Sequence, residues 1–285
     1  VASTQRTSTN ANDFRFIAHN LSNWLTMEVS TSHGTTPRPK PEEEKKATIT
    51  LFARHQPDIL GVSEIGQKED LDDLHQRLIA AGIDLPHQHH TGGADPTRHL
   101  ALLSRFPIIA ANRHESLRYQ LNGQSLAISR GILDVTLDTP VGEIRFLGVH
   151  LKSKREVSWA NQSKMRLAEA HLLRALIDDI LTRDPSTKLI VYGDFNDTRN
   201  APALRRVRGP GSGPTGLKMA ALRDSTGLSW TYHWDRADVY SHIDFILLSE
   251  AIRSHVQWPS SIIIDDPETR QASDHRPLLL TLGSP

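Results

Sequence analysis

Cysteine is missing from this chain altogether, which excludes disulfides, thiolate zinc sites and a thiol nucleophile and leaves the redox compartment undetermined. A surplus of either charge is missing too. Thirty-three Lys plus Arg balance 33 Asp plus Glu, so there is no global positive field of the kind that drives tight nonspecific binding to nucleic acid, and only a local basic patch can attract a polyanion. No apolar run approaches the ~20 residues of a membrane span, and no internal repeat with a period of roughly 20 to 50 residues stands out. What is present is length. A single large α/β body of 285 residues would bury roughly three quarters of the surface its unfolded chain exposes. The Ser/Thr/Ala/Asn-rich lead over residues 1–12 has no apolar signal core and reads as flexible, with one body expected over residues 13–285. Because the chain starts at Val1, an exported protein after processing and a trimmed cytoplasmic one explain the lead equally well, and localisation stays open.

Apolar runs lay out an alternating order. Phe14 to Ala18 reads as a first strand and Ile59-Leu60-Gly61-Val62 as a second. Between them a helix is expected from Pro41, which suits a first turn, to His55, just before Pro57. Leu71, Leu74 and Leu78 mark an amphipathic helix closed by Gly82, and Met165, Ala168, Leu172, Leu176 and Ile180 mark a longer one. Further strands are expected at Ala101 to Ser104, Gly131 to Leu137, Ile144 to Leu151, His242 to Leu248, Ile262 to Ile264 and Leu278 to Leu282. The stretches 27–41 and 207–216, rich in Pro and Gly, read as irregular. Paired strands with intervening helices give a mixed α/β protein containing antiparallel sheet.

The chemistry lies in two short elements. Leu189-Ile190-Val191-Tyr192 is a buried-strand pattern that runs into Gly193-Asp194-Phe195-Asn196-Asp197, and Ser273-Asp274-His275-Arg276-Pro277 runs into the last strand. Carboxylates, an amide and an imidazole thereby stand at strand ends, where they can bind a divalent cation and activate water. Asn20, Glu64, His150 and Asp244 occupy similar positions. Each alone has an ordinary explanation as a cap or turn residue. Asp244, inside His242-Ile243-Asp244-Phe245-Ile246, needs a partner beside its apolar neighbours, and a histidine is the natural one.

Taken together, Asn20, Gly61-Val62-Ser63-Glu64, Gly148-Val149-His150-Leu151, Gly193-Asp194-Phe195-Asn196, Ile243-Asp244-Phe245-Ile246 and Ser273-Asp274-His275-Arg276-Pro277 resemble the endonuclease/exonuclease/phosphatase superfamily. The resemblance spans Phe14 to Leu282. It implies a four-layer α/β sandwich, two packed mixed β-sheets flanked by helices, with the active site at one edge where strands from both halves end. It further implies hydrolysis of a phosphodiester with Mg²⁺, Mn²⁺ being an acceptable substitute, held in an oxygen-rich site by Asn20, Glu64 and Asp274. In that scheme Asp194 orients or deprotonates the attacking water and Asn196 holds the water or a phosphate oxygen. His275 donates to the phosphate, Asp244 fixes the His275 tautomer, and His150 acts from the opposite side. Either Asp194 or a histidine can serve as base.

Some relatives carry a carboxylate just before the strand at Leu100 to Ser104, supporting the histidine equivalent to His150. Here Arg98-His99 stands instead, so the charge state of His150 is in question and Arg98 becomes a candidate phosphate contact. Arg130 and Lys152 are further candidates, Lys152 because it follows His150 together with Lys154 and Arg155. His87, His89 and His90 read as a solvated loop rather than a metal site. Trp230, Tyr232, Trp234 and Tyr240 lead into the Asp244 strand, where they could stack on bases, touch lipid or fill the core. The segment after Asn20, from Trp24 to Pro41, could cover the site as a lid or be a surface loop without a role. The expected substrate is DNA or RNA acted on by a monomer. A phospholipid or small phosphate ester is the alternative, and a catalytically silent phosphate-binding module the alternative of another class. The last is disfavoured because none of Glu64, Asp194, Asp244 and His275 is missing.

Overall fold

Leucine-, isoleucine- and valine-rich runs separated by polar turns form strands here, and the longer amphipathic runs form helices. The computed structural model describes residues 13–31, 34–211 and 213–285; the N-terminal lead over 1–12 lies outside the described residues. In chain order the elements begin with β1 (Phe14–Trp24), β2 (Thr26–Thr31), β3 (Gly34–Pro39), α1 (Glu42–His55), β4 (Ile59–Ile65), α2 (Lys68–Ala80), β5 (His87–Thr91) and β6 (His99–Ser104). They continue with β7 (Ile108–Ala111), β8 (Arg118–Leu121), β9 (Gln124–Ala127), β10 (Ile132–Thr139), β11 (Gly142–His150), α3 (Gln162–Arg183), β12 (Leu189–Asp194) and α4 (Pro202–Arg208). The remainder is β13 (Lys218–Met219), β14 (Tyr232–Trp234), β15 (Val239–Ser241), β16 (Asp244–Leu248), α5 (Glu250–Arg253), β17 (Ile262–Ile263), α6 (Thr269–Ala272) and β18 (Leu278–Leu282).

Two mixed sheets carry the body. One runs β17-β18-β1-β4-β6-β5 and the other β13-β16-β12-β11-β10-β7. Each holds one parallel pair, β1 with β4 and β11 with β12, among antiparallel neighbours. Phe16 and Leu280 of the first sheet share an apolar layer with Leu133, Phe146 and Tyr192 of the second. The outer face of the first sheet packs on α1, α2 and α6 through residues such as Phe52, Leu74 and Ala272. The outer face of the second packs on α3 and α4 through Leu173, Ile177 and Leu204. Helices, sheet, sheet and helices make four layers, as the resemblance implies.

Between the sheets, the Phe16 ring meets Phe146 at 5.1 Å and Tyr192 at 4.9 Å, both edge to face. Buried aromatics of this kind contribute about 1.5–3 kcal/mol each from area alone. Tyr192 lies over two glycines. A Cβ on Gly61 would come within 2.3 Å of its ring, and one on Gly148 within 2.7 Å of its hydroxyl, so both residues are fixed by close approach.

Three expectations are corrected. The 27–41 stretch is largely a two-stranded ribbon, β2 with β3, and not irregular; Pro37 and Pro39 sit on β3, in a ribbon of only two strands, where a missing N–H is tolerated. His87, His89 and His90 belong to β5, an edge strand on β6, and not to a loop. The inward face of α3 is also out of phase with its apolar stripe, because Arg166, Glu169 and Arg174 are buried while Ala168, Leu172 and Leu176 are only partly so. Strand β1 runs on past Asn20 through an irregularity, with Ser22 and Asn23 at positive φ.

Candidate active site

Register alone assembles much of the site. His150 ends β11 opposite Asp194 on β12, and Asp194 is opposite Asp244 on β16, so three strands of one sheet present a row of side chains at their ends. Gly193, at φ 131, makes the approach possible, since a Cβ there would fall 2.0 Å from the Val149 carbonyl. On the other sheet Asn20 pairs with Ser63, and the β4–β6 ladder is broken between Ser63 and Ile65. Glu64 sits in that break at φ 59, and Asn196 follows β12 at φ 50. Left-handed backbone at non-glycine residues costs free energy and concentrates at functional sites.

The side chains converge tightly. Asn20 Nδ2 donates to Asp194 Oδ2 at 3.1 Å and lies 3.4 Å from Glu64 Oε1, while Asn20 Oδ1 accepts from the Ser22 N–H at 3.0 Å. The Asn196 N–H donates to Asp194 Oδ1 at 2.7 Å, and its amide donates to the Leu151 carbonyl at 3.0 Å. Asp194 Oδ2 stands between two imidazoles, 3.5 Å from His150 Nε2 and 3.8 Å from His275 Nε2. His275 Nδ1 donates to Asp244 Oδ2 at 2.9 Å, and Thr231 Oγ1 donates to the same oxygen at 2.6 Å. Asp274 is exposed beside this cluster, and its charge, with those of Asp194 and Glu64, acts on the Tyr232 hydroxyl.

Environment separates the two histidines. Burial lowers the pKa of His150, and the positive charges of Arg130 and His275 lower it further, so it is held neutral. His275 is equally buried, but the Asp244 carboxylate outweighs burial and raises its pKa well above the usual imidazole value. Asp194 is pushed up to about 7 by burial first and then by the Asp244 charge. The question raised by Arg98-His99 resolves toward a neutral His150, whose Nδ1 has no hydrogen-bond partner among the described residues.

A cationic rim adjoins the cluster. Arg98 Nε lies 3.8 Å from Glu64 Oε2. Arg130 is buried, with Nε 3.3 Å from Asp95 Oδ2 and Nη1 without a hydrogen-bond partner among the described residues. Lys152 is near enough to Arg130 for its ammonium pKa to be lowered by burial and by that charge. On the opposite flank, Tyr232 lies 4.8 Å from the His275 ring, and Arg276 stacks 3.4 Å over Trp230. Trp234 and Tyr240, on the β14–β15 hairpin, are about half exposed at 51% and 46%.

A sequence profile described as the Endonuclease/Exonuclease/phosphatase family matches residues 31–275. The chain belongs to that family. No curated protein matches it. Among solved structures, an endonuclease/exonuclease/phosphatase family protein from Leptotrichia buccalis is similar at TM-score 0.65 and 17% identity, covering 94% of this chain and 99% of its own. The human nocturnin catalytic domain with bound sulfate aligns at TM-score 0.65 and 20% identity, covering 95% and 94%. Beta toxin from Staphylococcus aureus aligns at TM-score 0.60 and 14% identity, covering 94% and 99%. At these identities the likeness establishes the fold, and membership in the endonuclease/exonuclease/phosphatase family makes this a phosphoesterase fold.

The family motifs bring Asn20, Glu64, His150, Asp194, Asn196, Asp244 and His275 together. Asp274 sits at the rim of that group, and Arg98, Arg130 and Lys152 line one flank. Sequence reasoning missed Thr231, which accepts from the Ile243 and Asp244 N–H groups at 3.1 Å while donating to the Asp244 carboxylate. It also missed Arg166 and Glu169. Their only signal was the recurrence of Arg166, Glu169 and Arg174 at spacings of three and five along α3, among several other polar residues of that helix.

Proposed function

We propose that this chain is a divalent-metal-dependent phosphodiesterase, with DNA or RNA as substrate, in which water attacks phosphorus in line. The observation that carries the reading is the placement of Asp194 between two buried imidazoles, one neutral and one paired with a carboxylate. Residues for the cation fit an oxygen-liganded ion. Glu64, Asp194 and Asp274 bring three carboxylates to one rim, with Arg98 beside Glu64, and such a cluster of oxygen donors suits Mg²⁺ or Mn²⁺. Glu64, Asn20 and Asp274 would hold it. Asn20 would present its amide oxygen after exchanging the roles of its two amide atoms. Asp194, Asp244 and His275 also lie within 4.8 Å of one another, but Asp244 is engaged by His275 and Thr231, which makes it the weaker seat. Held by Glu64, Asn20 and Asp274, the ion would supply Lewis-acid stabilisation of the charge that develops in the reaction.

The chain's own groups do the rest. Asp194 orients the water and accepts its proton, with the Asn196 amide beside it. His275, kept protonated by Asp244, donates to a non-bridging phosphate oxygen. His150, neutral, donates from the other side toward the leaving oxygen. Arg130 and Lys152 bind phosphate next to the scissile group. The test is nicking of supercoiled plasmid with Mg²⁺, against an EDTA control and Asp194→Ala. Metal-dependent nicking lost in the variant is expected, and nicking that survives both controls would overturn the mechanism.

A second reading has its own support. The β14–β15 hairpin exposes Trp234, Val239 and Tyr240 beside His275, an apolar edge suited to a phospholipid diester. Release of phosphorylated headgroup from phospholipid vesicles, with no cleavage of plasmid or single-stranded RNA, would favour it.

A further inference from the structure

Helix α3 reaches the rim through side chains that its apolar pattern does not explain. Glu169 is fully buried at 0% exposure. Its Oε1 accepts from the Ser129 N–H at 2.9 Å and from Ser129 Oγ at 2.7 Å, and its Oε2 accepts from the Lys152 N–H at 2.6 Å. One turn earlier, Arg166 Nη1 donates to the Lys152 carbonyl at 2.9 Å, and its Nε lies 3.3 Å from Asp197 Oδ2. Residues three apart on a helix share a face, so α3 grips the residue 152 backbone from both sides. Ser129 immediately precedes Arg130, and Asp197 immediately follows Asn196. Three rim loops are therefore pinned to one helix.

We propose that Glu169 is a positioning residue that fixes Arg130 and Lys152 as a phosphate-binding pair, a role that rests on the phosphodiesterase reading above. Docking α3 needs no carboxylate here, since Ala170, Leu173 and Ile177 already pack it on the sheet. A buried charge is expensive unless its hydrogen bonds accomplish something an apolar residue cannot. Here those bonds set the loop carrying Arg130 and the backbone carrying Lys152 at a fixed separation. The Glu169 charge, close enough to act on both cations, also limits their mutual repulsion when no phosphate is bound.

The test compares wild type with Glu169→Gln, which keeps the shape but can accept from only one of the two loops. Calorimetric titration with inorganic phosphate in Mg²⁺ buffer is read beside KM and kcat on bis(p-nitrophenyl) phosphate. Glu169→Gln is expected to weaken phosphate binding and raise KM by about tenfold, as loss of a charge-assisted hydrogen bond implies, with kcat changed by less than about threefold. Phosphate affinity and KM within about twofold of wild type in a folded variant would overturn the proposal. So would a wild type that binds no phosphate. If Glu169→Gln does not fold, Ser129→Ala, which removes only the hydroxyl donor, carries the same comparison with an expected loss of about threefold in affinity. A wild type that binds phosphate without cleaving the diester refutes the phosphodiesterase reading, and the affinity comparison still decides the role of Glu169.

Discussion

Asp244 and His275 are expected to act as one unit, and a double-mutant cycle measures it. Both residues are 5% exposed, and His275 Nδ1 donates to Asp244 Oδ2 at 2.9 Å. In His275→Gln the carboxylate loses the imidazole and keeps the Thr231 hydroxyl at 2.6 Å. In Asp244→Asn the imidazole loses its counter-charge. Removing one partner of a buried pair costs about 3–5 kcal/mol because the other charge is left uncompensated. Removing both leaves no such charge. The double variant should therefore be no less stable than the worse single one, giving a coupling of about 3 kcal/mol. Urea unfolding of the four proteins at pH 7 supplies the free energies, provided the slopes agree. The same logic applies to rate. Each single variant should lose about 10²–10³ in kcat, the loss typical of removing one transition-state donor, and the double variant little more. Stabilities that add within about 0.5 kcal/mol would refute the pairing as an energetic unit.

Further outcomes are expected. Chelation by EDTA should abolish turnover, and added Mg²⁺ or Mn²⁺ should restore it; turnover unaffected by EDTA would remove the metal from the reaction. Gly61→Ala should destabilise by about 2 kcal/mol or more, read as a lower urea midpoint, because its methyl group meets the Tyr192 ring at 2.3 Å between the two sheets; an unchanged midpoint would mean the sheets can part there. Asp134 should contribute to acid sensitivity. Burial raises its pKa, yet hydrogen bonds from His114 and Arg145 outweigh burial and leave it lowered. A depressed carboxylate stabilises above its unfolded pKa and loses that contribution as pH falls through the folded one. Asp134→Asn should accordingly flatten stability against pH below about 4, and a slope equal to wild type there would contradict it.

The four-layer arrangement and the central residues were legible because they leave local marks. A strand-like run ending in Gly193-Asp194-Phe195-Asn196, or Asp274-His275 directly before Leu278-Leu279-Leu280, announces polar groups at an edge. The ribbon of β2 with β3 left no such mark, since its prolines argue against a strand and β3 is exposed along its whole length. β5 was hidden because histidine has little strand preference and an edge strand needs pairing on only one side. The α3 phase was misread for a different reason. Hydrophobic periodicity locates the face that packs on apolar atoms, whereas Arg166, Glu169 and Arg174 turn inward for loop backbones that sequence spacing cannot locate. Arg130 was legible only as a basic residue beside a glycine, and its burial without a partner for Nη1 depends on the Asp95 loop, 35 positions away in the chain.

The site draws Asn20 and Glu64 from one sheet and His150, Asp194 and Asp244 from the other, with His275 entering just ahead of β18, which pairs with β1 at the far end of the sequence. During synthesis this has a temporal consequence. Asp194 and Asp244 are synthesised ahead of the imidazole that pairs with Asp244. On the proposed mechanism, a chain truncated before residue 275 keeps Glu64, Asp194 and Asp244 without the His275 imidazole and is expected to be inactive.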